Sequence, residues 1–189
     1  MVNARTLYRH ELSNAITTLS ILIMDCGLSP VEKRRMERSV RKASLMIAYE
    51  PLFLGKGIDF PREEVELGEM VGLLCSVYHA EARWELGFFE GVRVPANRNA
   101  LFDALELLVA EAEGDTSKLV FEWKPCDRTL RISRGPGGVD AMRPWPDEAK
   151  GEGAILGPAW AIQLAYGLFR ECKVGVRVSS GGIDLDFGL

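Results

Sequence analysis

Two histidines occur in the 189 residues, His10 and His79, and only His10 sits among side chains that suggest chemistry. A solvent-facing imidazole nitrogen is a competent nucleophile towards phosphorus, and phosphoryl transfer asks of a protein mainly in-line positioning and stabilisation of charge. Glu11 follows at once, and its carboxylate can accept a hydrogen bond from an imidazole nitrogen, fixing the tautomer and raising the basicity of the ring. Asn14, one helical turn on, can position a phosphoryl oxygen or a water. His79, in Tyr78-His79-Ala80, closes a helix, where capping or packing is its expected part. Cys26, Cys75, Cys126 and Cys172 form no Cys-x-x-Cys pair and have no histidine nearby. They are expected to be reduced thiols in the core, neither zinc ligands nor a disulfide framework.

The element that must carry His10 is legible from its period. Over residues 4–26, Leu12, Ala15, Ile16, Leu19, Leu22, Ile23 and Cys26 fall on one arc of a helix at about 100° per residue. His10, Asn14 and Thr17 lie on the opposite side, so the imidazole is expected to face solvent. Gly27 ends this helix, Ser29 can cap the next one, and Pro30 occupies a first-turn position that tolerates proline. On the second helix Met36, Val40, Ala43 and Ile47 repeat at four, three and four residues, and Pro51 is expected to bar helical geometry at Glu50. Residues 1–54 therefore read as a helical hairpin. Two apolar stripes cannot both be covered by one pair of helices, whereas two hairpins side by side close a four-helix core, so a homodimer is expected.

From Pro51 to Arg62 two prolines and two glycines interrupt the helical period, which suits a linker. Beyond it, helical spacing returns in Leu67, Met70, Val71, Leu74 and Tyr78, in Leu101, Ala104, Leu105, Leu108 and Ala112, and in Ile155, Ala159, Ile162, Tyr166 and Phe169. Alternating runs, Leu119-Phe121-Trp123, Leu130-Ile132, Val174-Val176-Val178 and Ile183-Leu185-Phe187, read as half-buried strands. Turn residues at 124–127 and 180–182 join neighbouring strands, so the sheet is expected to be largely antiparallel with the helices on its apolar face. The predicted fold is α+β, with the hairpin domain at 1–54 and a two-layer α/β sandwich at 63–189.

Arg9-His10-Glu11-Leu12-Ser13-Asn14-Ala15 resembles the H-box of sensor histidine kinases, which that family carries on the first helix of a dimerising hairpin. Val65–Glu69, Pro95–Leu108, Ile132–Gly138, Leu156–Ile162 and the final strand pair resemble, in order, the landmarks of the family's ATP-binding domain. The resemblance implies that His10 is the phosphorylated residue, Glu11 its acid/base neighbour, and Asn14 the position tied to dephosphorylation in the family's Glu-x-x-Asn pattern.

The same resemblance exposes what is missing for a kinase. The family's metal-holding asparagine has no counterpart inside 101–112, where only Asn97 and Asn99 stand at the entrance and Glu106 or Glu111 offers an alternative metal ligand. Ser133 and Arg134 precede Gly135-Pro136-Gly137-Gly138 where the family has its adenine-reading aspartate, and arginine has no acceptor to replace it. Gly157-Pro158-Ala159 stands at the second glycine-rich loop, where a proline removes an amide that would face phosphate. ATP binding and autokinase activity are therefore not expected, and Gly135–Gly138 reads as a plain turn. The chain then resembles the degenerate-kinase phosphotransferases of sporulation and cell-cycle phosphorelays. No cofactor is expected, any Mg2+ being supplied by the partner.

Such a phosphotransferase needs a surface for response-regulator receiver domains, whose phosphorylation pockets are acidic. Residues 31–42 hold six cations against Glu32 and Glu37, and Arg34, Arg38 and Arg41 fall on the outward face of the second helix, where they can steer docking or serve as a solvated face. The net charge of −4 argues against wholesale binding to nucleic acid. No apolar run approaches the roughly 20 residues of a membrane span, and the first residues lack the apolar block of a signal peptide, so a cytoplasmic protein without membrane contact is expected. Two other readings stand beside the phosphotransferase: a divergent ATP-dependent histidine kinase, and a non-catalytic module that sequesters a response regulator.

Overall fold

A computed structural model of the chain describes residues 4–53, 56–78, 91–112, 119–134, 160–179 and 182–188. They belong to two compact units, Met1–Lys56 and Gly57–Leu189.

The first unit is a hairpin of α1 (Ala4–Asp25) and α2 (Pro30–Ala48), followed by the single turn α3 (Glu50–Phe53). A capping box starts α2: Ser29 N and Oγ both donate to Glu32 Oε2, at 3.0 and 2.6 Å, while Glu32 N donates back to Ser29 Oγ. Two of the helix's orphan amides are satisfied in this way. At the far end Tyr49 leaves helical geometry at φ −106°, ψ 20°. The expectation that Pro51 keeps Glu50 out of a helix fails here, because Glu50 opens α3 and Pro51 falls in that helix's first turn, where no amide hydrogen is needed.

Burial in the hairpin is narrow. Ile16 and Ile23 of α1 are buried, as are Leu45 and Tyr49 of the α2 end. The rest of the arc expected to be buried on α1 stays out: Leu12 is half-buried, and Ala15, Leu19, Leu22 and Cys26 are exposed. On α2, Met36 is exposed and Val40, Ala43 and Ile47 are half-buried. One hairpin brings only one line of each helix into contact, so a wide apolar arc is half covered and half left to water.

The second unit runs β1 (Glu63–Glu66), α4 (Leu67–Tyr78), β2 (Arg93–Ala96), α5 (Arg98–Ala112), β3 (Leu119–Lys124), β4 (Thr129–Arg134), α6 (Trp160–Glu171), β5 (Gly175–Ser179) and β6 (Gly182–Asp186). Its main sheet has the order β3-β4-β6-β5, and every described pairing is antiparallel. Register puts like with like across four strands. Phe121, Ile132, Ile183 and Val178 form one apolar rung, and Trp123, Leu130, Leu185 and Val176 the next. The intervening rung, Glu122, Arg131, Asp184 and Arg177, alternates in charge on the other face, with Arg131 Nη1 3.3 Å from Asp184 Oδ1. Leu101, Leu105 and Leu108 of α5 and Ala161, Ala165, Leu168 and Phe169 of α6 are wholly buried. Mixed helix and antiparallel sheet make this an α+β protein.

A small second sheet pairs β1 with β2, Val65 opposite Val94. No alternation announced it, because β1 carries three glutamates in four residues and β2 contains Pro95. The segment before β1 is tied into this unit: Ile58 N donates to Glu171 Oε2, Arg62 Nη2 to Pro95 O, and Asn97 Nδ2 to Pro61 O. No described helix is long and apolar enough to cross a membrane.

The cysteines depart from expectation. Cys172 is buried, but Cys75 is only half-buried, and Cys26 and Cys126 are exposed. Cys26 follows the end of α1 and Cys126 sits in the four-residue turn between β3 and β4, positions with no core to enter. All four are free thiols. Burial pushes the Cys172 thiol above its ordinary pKa, as expected where a thiolate would lose its water.

Candidate functional site

His10 lies in the second turn of α1 with its side chain exposed, on the face opposite the Leu19 and Leu22 stripe. It borders a cavity of about 440 Å³ between α1 and α2, lined by Arg9, His10, Ser13 and Thr17 on one side and by Ser44 and Ile47 on the other. Arg9 closes one end. Its Nη2 donates to Ile47 O at 3.1 Å, and its Nε lies 3.7 Å from Glu50 Oε2. The final carbonyls of a helix carry partial negative charge, so a guanidinium belongs there, and the residue preceding His10 thereby pins α1 to the end of α2.

Two of the hydroxyls around the cavity are turned back onto their own helices. Thr17 Oγ1 donates to Ser13 O at 2.9 Å, and Ser44 Oγ to Val40 O at 3.0 Å. Their hydrogens are thus committed and their lone pairs left outward, so the wall offers acceptors to an incoming group. Asn14 is exposed one turn beyond His10, and its backbone carbonyl accepts from Thr18 Oγ1.

His10, Asn14 and Thr17 continue at the same four-three spacing into Ile21 and Met24, which are 51% and 59% exposed. Both fall outside the apolar arc from which the buried face of α1 is predicted. Their spacing from His10 was the available signal. They continue the imidazole face as an exposed apolar foot.

Arg38 is half-buried and Arg41 exposed, each with an interaction partner within the chain. The side chains of Glu11 and Arg34 lie outside what is described, as do His79, Glu111, Gly135–Gly138 and Gly157–Ala159. Asn97 caps α5, accepting from Ala100 N at 3.0 Å, while its amide nitrogen holds the Pro61 carbonyl. Asp103 and Glu106 are buried in α5 with partners of their own. No group of three or more potential metal-ligating side chains occurs among the described residues.

Neither a protein-family model nor a curated protein matches the sequence. Among solved structures the chain is similar to the Acinetobacter baumannii histidine kinase AdeS, with a TM-score of 0.45 and 15% identity over 95% of this chain and 98% of that one.

Proposed function

We propose that the chain is an ATP-independent histidine phosphotransferase of a two-component phosphorelay. The observation that carries this reading is the exposed His10 on the polar face of a hairpin helix, at the mouth of a cavity and anchored through Arg9 to the neighbouring helix. In this reading the imidazole attacks the phosphorus of a receiver's aspartyl phosphate. The P–O bond to the aspartate breaks, the carboxylate leaves, and phosphohistidine forms. The reverse reaction passes the phosphoryl group to a second receiver. Glu11 orients the ring, Asn14 holds a phosphoryl oxygen or a water, and the receiver brings its own Mg2+. Arg34, Arg38 and Arg41 steer the acidic receiver towards α1, and two hairpins pair as a homodimer.

The test is transfer from a phosphorylated receiver to the purified chain without nucleotide. Label is expected on the chain within minutes, acid-labile and alkali-stable, and absent from His10→Ala. Failure of the wild type to accept label, or undiminished labelling of His10→Ala, overturns the reading. Magnesium-dependent binding of an ATP analogue in calorimetry, with autophosphorylation, would establish a kinase instead.

A further inference from the structure

We propose that the free edge of β5, with the groove that α6 leaves beside it, binds an extended acidic peptide segment as an added strand. This is independent of the chemistry assigned to His10. On one side β5 pairs with β6; on the other, no strand accompanies it among the described residues. Half of an edge strand's amide and carbonyl groups point away from the sheet, and they match the repeat of another extended chain. Side chains agree with the backbone. Val176 and Val178 are only half-buried, whereas their register partners Leu185 and Ile183 are fully covered, so the apolar face of β5 lacks a cover at its outer side.

Beside that edge lies a groove of about 600 Å³. One stripe of α6 forms its wall, Gln163, Tyr166, Gly167 and Arg170, and the chain from Lys173 to Val176 forms the other side. Gly167 puts no side chain into the space. The charged groups lining it are of one sign: Arg170 and Lys173 line the groove and no carboxylate does, whereas Arg177, on the opposite face of the same strand, shares its surface with Asp127, Asp184 and Asp186. Neither Arg170 nor Lys173 forms an ion pair among the described residues. In a chain of net charge −4 these two cations stand beside a strand edge that no described strand pairs. A nucleic acid or an anionic membrane would use the cations but neither the directed amides nor the half-covered valines. An extended peptide that alternates acidic with β-branched or aromatic residues uses all three.

Selection of random dodecapeptides displayed on phage against the full chain tests this. Enriched sequences are expected to be acidic and β-prone and to bind with micromolar Kd in fluorescence anisotropy. Amide hydrogens of Gly175–Ser179 should gain protection from exchange on binding. Arg170→Glu with Lys173→Glu should weaken binding at least about tenfold without moving the thermal midpoint. Should that variant fold poorly, the protection pattern of the wild type and the loss of affinity with added salt carry the decision. The proposal is overturned by selected peptides with no acidic bias, by protection confined to other elements, or by single-stranded oligonucleotide or anionic vesicles displacing the peptides from the same cations.

Discussion

The hairpin and the sandwich solve the same problem of apolar burial to different degrees. In the sandwich, Leu67, Leu101, Leu105, Leu130, Ile132 and Phe169 are fully covered, and only Leu73 is a large apolar side chain left in water among the described residues. In the hairpin, Leu19, Ile21, Leu22, Met24, Val31 and Met36 are 42–59% exposed, while four residues make up the buried apolar set among those described. Among the described residues the sandwich covers nearly all of its large apolar side chains and the hairpin leaves six of its own in water. The surplus on α1 forms two outward stripes. Ala15, Leu19, Leu22 and Cys26 form the stripe a second hairpin would cover. His10, Asn14, Thr17, Ile21 and Met24 form the stripe a transfer partner would meet. In the proposed reading these two stripes are the contacts kept for other molecules.

The largest effect should come from breaking the first stripe. If two hairpins pair as proposed, replacing Leu19 and Leu22 by Asp removes four half-covered leucines from the paired interface, each contributing on the order of 1 kcal/mol, so the dimer dissociation constant should rise about a thousandfold. Sedimentation equilibrium reads this directly. A wild-type chain that is monomeric at tens of micromolar would dissolve the contrast between the two regions. Next in size is the sandwich core. Leu105→Ala empties a fully buried site in α5 and should cost about 2–5 kcal/mol of unfolding free energy, seen as a lower denaturant midpoint. The same truncation at exposed Leu22 should leave the unfolding free energy of the unpaired chain, measured well below the dimer dissociation constant, within about 0.5 kcal/mol. Equal costs at the two sites would mean that the hairpin is as closed as the sandwich.

These expectations indicate what the sequence could and could not convey. The strands with clean alternation, Leu119–Lys124 and Gly182–Asp186, and the helices with clear periods could be read directly, because side-chain period is set by the backbone alone. The outward direction of His10 followed from the same rule. The β1–β2 pair was hidden by its glutamates and proline. The core lines of α2 went to Leu45 and Tyr49 because the interhelical face is chosen by the partner helix, which no single-helix pattern contains. The role of Arg9 was illegible for a similar reason: its acceptor is the carbonyl of Ile47, and backbone groups at a helix end have no letter in the sequence.

The smallest expected effect sharpens the comparison at the start of α2. Ser29 donates from both its hydroxyl and its amide to the Glu32 carboxylate, and these bonds, with a weaker attraction from Arg35, hold Glu32 below the ordinary glutamate pKa. A carboxyl depressed in the folded state contributes stability that is fully present above its unfolded pKa and is lost as pH falls through its folded value. The hairpin should therefore lose helicity on acidification below the ordinary glutamate range. Glu32→Gln keeps a side chain able to complete the capping box but does not titrate, so its far-UV ellipticity should change less over that window, and the two curves should converge at the acid end. Ser29→Ala removes the cause of the shift along with the cap. It should cost about 1 kcal/mol at neutral pH and return the Glu32 titration towards the ordinary range. The site is exposed and salt-screened, so the difference is best read at low ionic strength. Identical acid profiles for wild type and Glu32→Gln would show that the box does not hold the entry of α2, and that the hairpin's turn, like its open stripes, depends on contacts outside a single hairpin.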